Sequence, residues 1–247
     1  MVTCNDGGGI MVRLKESTVA QHDAAENGLF QQDLVKGKLP KDAYVDMLAQ
    51  LLLVHAALEK HLRQLENRLE AAGAVLREHQ FQEPYLREDL RYFGRDAEAV
   101  EPFDATRRFI DRIEEIAKAR PLTLLGVHYV LEGSNNGSKY IAKAVRRAYS
   151  LPEGPGTRYL DPYGDNQKEY WQRFKDDMNS VGFSQADSQT LIEAASETFA
   201  AVGELHQELY NRCVAPRAST ETQGLQAGGM GRCPISRHSA GPTPGSV

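Results

Sequence analysis

On stretches with helical periodicity, three histidines stand four residues before a glutamate: His22 with Glu26, His55 with Glu59, and His128 with Glu132. On a helix, residues four apart share a face. Each carboxylate can therefore orient its imidazole and leave the second ring nitrogen free, the arrangement in which a neutral histidine binds a metal. Three such pairs, if they converged, could surround one or two iron ions. A second pattern is defined by missing side chains, because Gly133 and Gly137 lie one turn apart with Asn135 and Asn136 between them. Bare backbone on a helix face serves either close helix packing or a slot that a flat ligand can enter. The three cysteines, Cys4, Cys213 and Cys233, are odd in number and far apart, and imply neither a disulfide framework nor a zinc cluster.

The elements that must position these groups read as helices. From Leu14 to Asn27 the pattern is that of one amphipathic helix, with Leu14, Val19, Ala24 and Ala25 turned to a core and Lys15, Glu16, Gln21 and Asp23 to water. Between Tyr44 and Leu69 the positions Tyr44, Leu48, Leu51, His55, Leu58, Leu62, Leu65 and Leu69 form one buried stripe, which His55 interrupts. Residues 79–103 carry Pro84, Gly94 and Pro102, and predict short helices and turns. Asp104 is a plausible N-cap for a helix to Arg120, and Pro121 suits the first turn of the next. That helix, to about residue 149, has Leu122, Leu125, Tyr129, Gly133, Gly137, Tyr140 and Ala144 on one face, and its GSNNG run predicts a bend. A Pro/Gly loop at 151–164 precedes a helix with Trp171, Phe174 and Met178 inward, and Ser184 with Asp187 starts the last helix.

With 247 residues, 41% hydrophobic and 26% charged, the composition is that of a globular protein, and a formal charge of -5 argues against a nucleic-acid surface. No apolar run is long enough to span a membrane and no signal peptide is evident, so a reducing cytoplasm is expected. The division is a disordered leader over 1–12, one helical domain over 13–213, and a disordered tail over 214–247 that is rich in Gly, Ser, Thr and Pro.

The run LKE-x-T-x3-H-x2-AEN, followed by F-x-x-D-x3-GKL and ALEKHL, resembles the proximal half of the haem oxygenases. YVLEGS-x-x-G is similar to the distal helix of the bacterial phytochrome-associated members, and MNS at 178–180 with Phe199 on the following helix extends the match. The resemblance covers roughly Leu14 to Tyr210. It implies an all-α, multi-helical bundle with haem between a proximal helix and a glycine-containing distal helix. It also implies cleavage of haem b to biliverdin, carbon monoxide and ferrous iron, using O2 and electrons from ferredoxin or an NADPH-dependent reductase. His22 is then the axial iron ligand, supported by Glu26. Lys15 and Lys175 face the haem propionates, and Tyr129 and Phe199 contact the macrocycle. Gly133, Gly137, His55 and Asn136 shape the distal, oxygen-activating side. A bilin acceptor such as a bacteriophytochrome is an implied partner.

Two positions depart from the family pattern. Gly133 stands where many members carry an aspartate, with Glu132 beside it, and Val19 replaces a basic residue. The distal network is then rebuilt from His55, Asn135, Asn136 or Glu132, or turnover is weakened. A haem carrier or sensor of the same fold, and a non-haem iron oxidase built on the His-x3-Glu pairs, stay open as alternatives. A thiol-dependent hydrolase is disfavoured, since no cysteine lies in the helical core before Cys213.

Overall fold

The structure, a computed structural model, describes residues 8–216. Most of the expected leader and tail, residues 1–7 and 217–247, lies outside the described residues. The helices are α1 (Ile10–Ser17), α2 (Val19–Glu26), α3 (Leu29–Val35), α4 (Lys41–Glu66), α5 (Glu70–Gly73), α6 (Glu83–Tyr92), α7 (Asp104–Ala119), α8 (Leu124–Tyr149), α9 (Gln167–Ser180) and α10 (Gln185–Leu209). Among the described residues there is no strand.

Long helices form the body because each carries a continuous apolar stripe. On α4, Tyr44, Leu48, Leu51, His55, Leu58, Leu62 and Leu65 are all buried as the spacing predicts. Leu69 falls beyond the end of the helix and is exposed. Each leucine so removed from water contributes about 1.5–3 kcal/mol. Helix α7 buries Ala105, Phe109, Ile113 and Ile116, while Arg108 and Arg112 on its outer face pair with Glu204 and Glu197 of α10. Helices α8 and α10 cross closely at Gly126, where a Cβ would strike the Leu191 carbonyl oxygen. Ser184 caps α10 by accepting from the Asp187 amide at 3.1 Å.

Three local expectations are corrected. Residues 10–12, assigned to the leader, are helical, with Ile10 and Met11 buried in the core. The Met11 amide donates to Asn179 Oδ1 at 3.2 Å, so the MNS asparagine fixes the start of α1. The single helix expected over Leu14–Asn27 is broken at Thr18, whose Oγ1 donates back to the Leu14 carbonyl at 2.8 Å and whose ψ of 9° leaves the helical range. Beyond the break α2 buries no side chain, so Val19 and Ala24, expected in a core, are open to solvent. Helix α8, expected to bend or loosen at GSNNG, keeps continuous helical hydrogen bonding through that run. Ser134 Oγ donates to the Leu131 carbonyl at 2.7 Å and Ser138 Oγ to the Ser134 carbonyl at 2.8 Å, and contacts of Gly133 with Trp171 and of Asn136 with Gln167 hold a segment of poor helix propensity.

Candidate functional site

His22 projects from α2 with its side chain about half exposed (53%). Its Nε2 lies 3.6 Å from Glu26 Oε1 and its Nδ1 3.7 Å from Asp23 Oδ1, so both nitrogens have carboxylates nearby and neither makes a short bond. The Phe199 ring of α10 stands edge-on to it, 5.8 Å between centroids. Among the described residues, His22, Asp23 and Glu26 are the group of His, Cys, Asp and Glu whose ligand atoms come within reach of one ion.

Between α1 and α9 lies a cleft of about 480 Å³ lined by Met11, Val12, Lys15, Glu16, Gln172, Lys175, Asp176 and Asn179. Two lysines from separate helices thus share one cleft with two acids, and the lysines are the pair that the family resemblance expects toward an anionic ligand. The Val12 side chain in this cleft and Val19 on α2 are exposed.

The glycines of α8 differ from one another. Gly137 faces open space, whereas a Cβ on Gly133 would stand 3.3 Å from the edge of the Trp171 indole. The expected slot is therefore open at Gly137 and floored by tryptophan at Gly133. Tyr129 leans on the same indole, ring centroids 6.2 Å apart. Its hydroxyl bonds the Thr18 side chain at the α1–α2 break, and burial raises its pKa.

Behind α8 lies a buried polar layer that joins four segments. His55 Nδ1 and Glu59 Oε1 are 3.1 Å apart, and Glu59 also accepts the backbone N–H groups of Gln82 at 2.6 Å and Glu83 at 3.0 Å, at the start of α6. A carboxylate can only accept, so His55 carries its proton on Nδ1 and presents Nε2 to the Tyr159 hydroxyl, 3.4 Å away. Tyr163 donates to Glu132 Oε2 at 2.8 Å and accepts from Gln82 Nε2 at 2.9 Å. Asn135 Nδ2 donates to the same Glu132 oxygen at 3.3 Å, and Glu132 Oε1 is buried without a partner. Burial raises the Glu132 pKa to about 7, against the lowering effect of the Tyr163 and Asn135 hydrogen bonds. His128, 3.1 Å from Gln80 Oε1, is lowered to about 3 by burial.

Of the residues expected at the site, His22 and Phe199 come together, and Lys15 and Lys175 share the cleft. Tyr129 and Gly133 meet at Trp171, and His55 lies in the polar layer. Asn136 does not join that layer: it is exposed, its Nδ2 donates to the Gly133 carbonyl and its Oδ1 accepts from Gln167, and Asn135 occupies the buried position instead. The three His-x3-Glu pairs do not converge either, because His128 turns to Gln80 and Glu132 to Tyr163. Sequence reasoning missed Trp171 as the floor of the slot, and Tyr159, Tyr163 and Gln82. Its one available signal was two tyrosines in a loop otherwise made of Pro, Gly and polar residues.

The family model described as heme oxygenase matches residues 9–208. "Heme oxygenase 2" of Rattus norvegicus is 26% identical over 243 residues, covering 95% of this chain and 76% of its own. "Heme oxygenase 1" of Homo sapiens is 27% identical over 201 residues, covering 79% of this chain and 70% of its own. Among solved structures, heme oxygenase-2 from Synechocystis, in complex with heme and NO, superposes with a TM-score of 0.80 at 24% identity, over 89% of this chain and 93% of that one. Heme oxygenase-1 from Synechocystis, in complex with heme, gives 0.79 at 22% identity, over 88% and 100%. These likenesses establish the same all-α fold.

Proposed function

This chain belongs to the haem oxygenase family, and from that premise we propose that it opens haem oxidatively to biliverdin, carbon monoxide and ferrous iron, with O2 as oxidant. Electrons come from ferredoxin or an NADPH-dependent reductase, and the bilin passes to an acceptor such as a bacteriophytochrome. The observation that supports this reading is the half-exposed His22 imidazole on α2, edge-on to Phe199 of α10. Lys15 and Lys175 share a cleft between α1 and α9, and α8 has bare backbone at Gly137.

Bound haem supplies the iron at which O2 is reduced, and this chain's residues supply position and protons. His22 would bind the iron, with Glu26 beside its ring. Lys15 and Lys175 would offer ammonium groups to the two propionates, and Phe199 and Tyr129 would supply apolar contacts. Gly137, without a side chain, would leave room for O2, and Gly133 admits the Trp171 indole to the same face of α8. Glu132, with a pKa near neutrality, can hold or release a proton on Oε1, the oxygen that no protein group occupies. Asn135, Tyr163 and the His55–Tyr159 pair extend a hydrogen-bonding path around it. Glu132 can thus take over the task that an aspartate at position 133 performs in many members.

A second reading, a haem carrier or sensor that does not degrade its ligand, draws on Gly133 standing at that aspartate position. The three-pair iron oxidase loses its geometric basis, since only the His22–Glu26 pair lies in a ligand-spaced group among the described residues. Hemin titration followed by reductant under air separates the first two. Loss of the Soret band with growth of biliverdin absorption is the expected outcome, and a Soret band that persists through repeated reduction refutes the enzyme reading in favour of the carrier.

A further inference from the structure

Asp89 is an acid on the wrong face of its helix. It sits on α6 next to Leu86 and Leu90, all three fully removed from solvent. Its two carboxylate oxygens are spent on backbone groups of the 151–164 loop: Oδ1 accepts the Arg158 amide and Oδ2 the Tyr159 amide, both at 2.9 Å, and the Gly156 amide adds a third bond. The loop is seated there by further contacts. Tyr44 of α4 donates its hydroxyl to the Gly156 carbonyl at 2.9 Å. Gly156 itself has φ +81° and lies where a Cβ would meet the Phe93 and Tyr92 rings at 3.0 Å, so only glycine permits the turn to close on the end of α6.

The same short segment delivers both tyrosines of the polar layer. Tyr159, whose amide Asp89 holds, reaches His55, and Tyr163, four residues on, reaches Glu132 and Gln82. We propose that Asp89 is a positioning residue: by clamping the 156–159 turn it sets the Tyr159 hydroxyl against His55 and the Tyr163 hydroxyl against Glu132, and so defines the proton-bearing side of the site.

As a role in turnover this rests on the haem-degrading reading; as a clamp it does not. Burial of a carboxyl among leucines is costly, and it raises the Asp89 pKa to about 6 against the lowering effect of its three amide bonds. An acid that served packing alone could be replaced there by an apolar group at lower cost. What the carboxylate does that an apolar side chain cannot is accept several diverging amides at once and fix the direction of the chain that leaves them.

The test compares wild type, Asp89→Asn, Tyr159→Phe/Tyr163→Phe and the triple variant in the haem-free state. Readouts are ¹⁵N resonances of the His55 ring and ¹³C resonances of the Glu132 carboxyl. Asparagine keeps the volume but has one accepting oxygen, so the clamp is weakened without opening a cavity. The His55 nitrogen shifts should move, and the Glu132 titration should rise by about one unit as the Tyr163 hydrogen bond that lowers it is lost. In the Tyr159→Phe/Tyr163→Phe background, Asp89→Asn should add nothing further. Unchanged His55 and Glu132 signals in a folded Asp89→Asn protein, or a full-sized effect on top of the double phenylalanine variant, would overturn the clamp.

A measurement on wild type alone covers the case in which Asp89→Asn does not fold. The Arg158 and Tyr159 amide shifts should follow the ¹³C titration of the Asp89 carboxyl near pH 6. The groups facing Asp89 are Tyr44 from α4, Glu88 beside it on α6, and Arg158 and Tyr159 of the loop. Amides that stay fixed while the carboxyl titrates would also refute the clamp. With haem bound, Asp89→Asn should lower turnover about tenfold with hemin affinity unchanged. A wild type that binds no hemin would sink the functional reading and leave the haem-free result intact.

Discussion

At the scale of single residues, the proposed ligand and the proposed proton store have opposite environments. His22 stands half exposed on α2, which buries none of its side chains, so its ring is open to a group that comes from solution. His22→Ala should abolish normal haem ligation, read as loss of the wild-type Soret and charge-transfer bands, while the far-ultraviolet circular dichroism stays unchanged. Glu132 has the opposite environment. Its folded pKa is raised to about 7 from 4.5, so between those values the folded protein binds more protons than the unfolded one. Stability from this group is therefore greatest below pH 4.5 and is lost as pH rises through about 7. Glu132→Gln removes that dependence. Relative to wild type, the variant should gain on the order of 3 kcal/mol between pH 4 and pH 8, measured by urea unfolding across the range.

At the scale of elements, α8 carries the proposed distal groups and packs closely on α10. Their crossing at Gly126 leaves no room for a methyl group against the Leu191 backbone. Gly126→Ala should cost about 1–3 kcal/mol through forced separation of the two helices, seen as a lower urea midpoint with an unchanged slope. The far end of α8 has slack of the other kind. Ser150 closes the helix at φ 55° and ψ 43°, a left-handed conformation that a Cβ disfavours. Ser150→Gly should stabilise by up to about 1 kcal/mol, raising Tm by roughly 2–4 °C for a chain of this size.

At the scale of the whole molecule, the groups proposed to face haem come from α1, α2, α8, α9 and α10, so a ligand that touched them all would tie the bundle together. Hemin at a hundredfold excess over its Kd should stabilise the folded state by about 2.7 kcal/mol, read as a rise in Tm. Lys15→Ala/Lys175→Ala should keep the haem-free Tm, because Lys15 is exposed and Lys175 only half-buried, and lose part of the hemin-induced rise. Among the described residues no helix is long and apolar enough to cross a membrane.

Much of this was legible in the chain itself where the physics is local. Periodicity says which face of a helix is apolar, and it correctly read the α4 stripe as far as Leu65 and the α9 face, as local capping chemistry read the Ser184 cap. Spacing of four placed His55 and Glu59 in contact because one helix carries both. The pairing of Lys15 with Lys175 and of His22 with Phe199 followed from the family resemblance, not from pattern. What only the tertiary structure decided is what lies across from each face. The break at Thr18, the turn of His128 toward Gln80, the burial of Asn135 in place of Asn136, and the Asp89 hold on a loop 70 residues away are contacts between distant segments. The free energy of a helix face is set within a few turns of chain, whereas a buried hydrogen bond is set by whichever segment the packing brings within 3 Å.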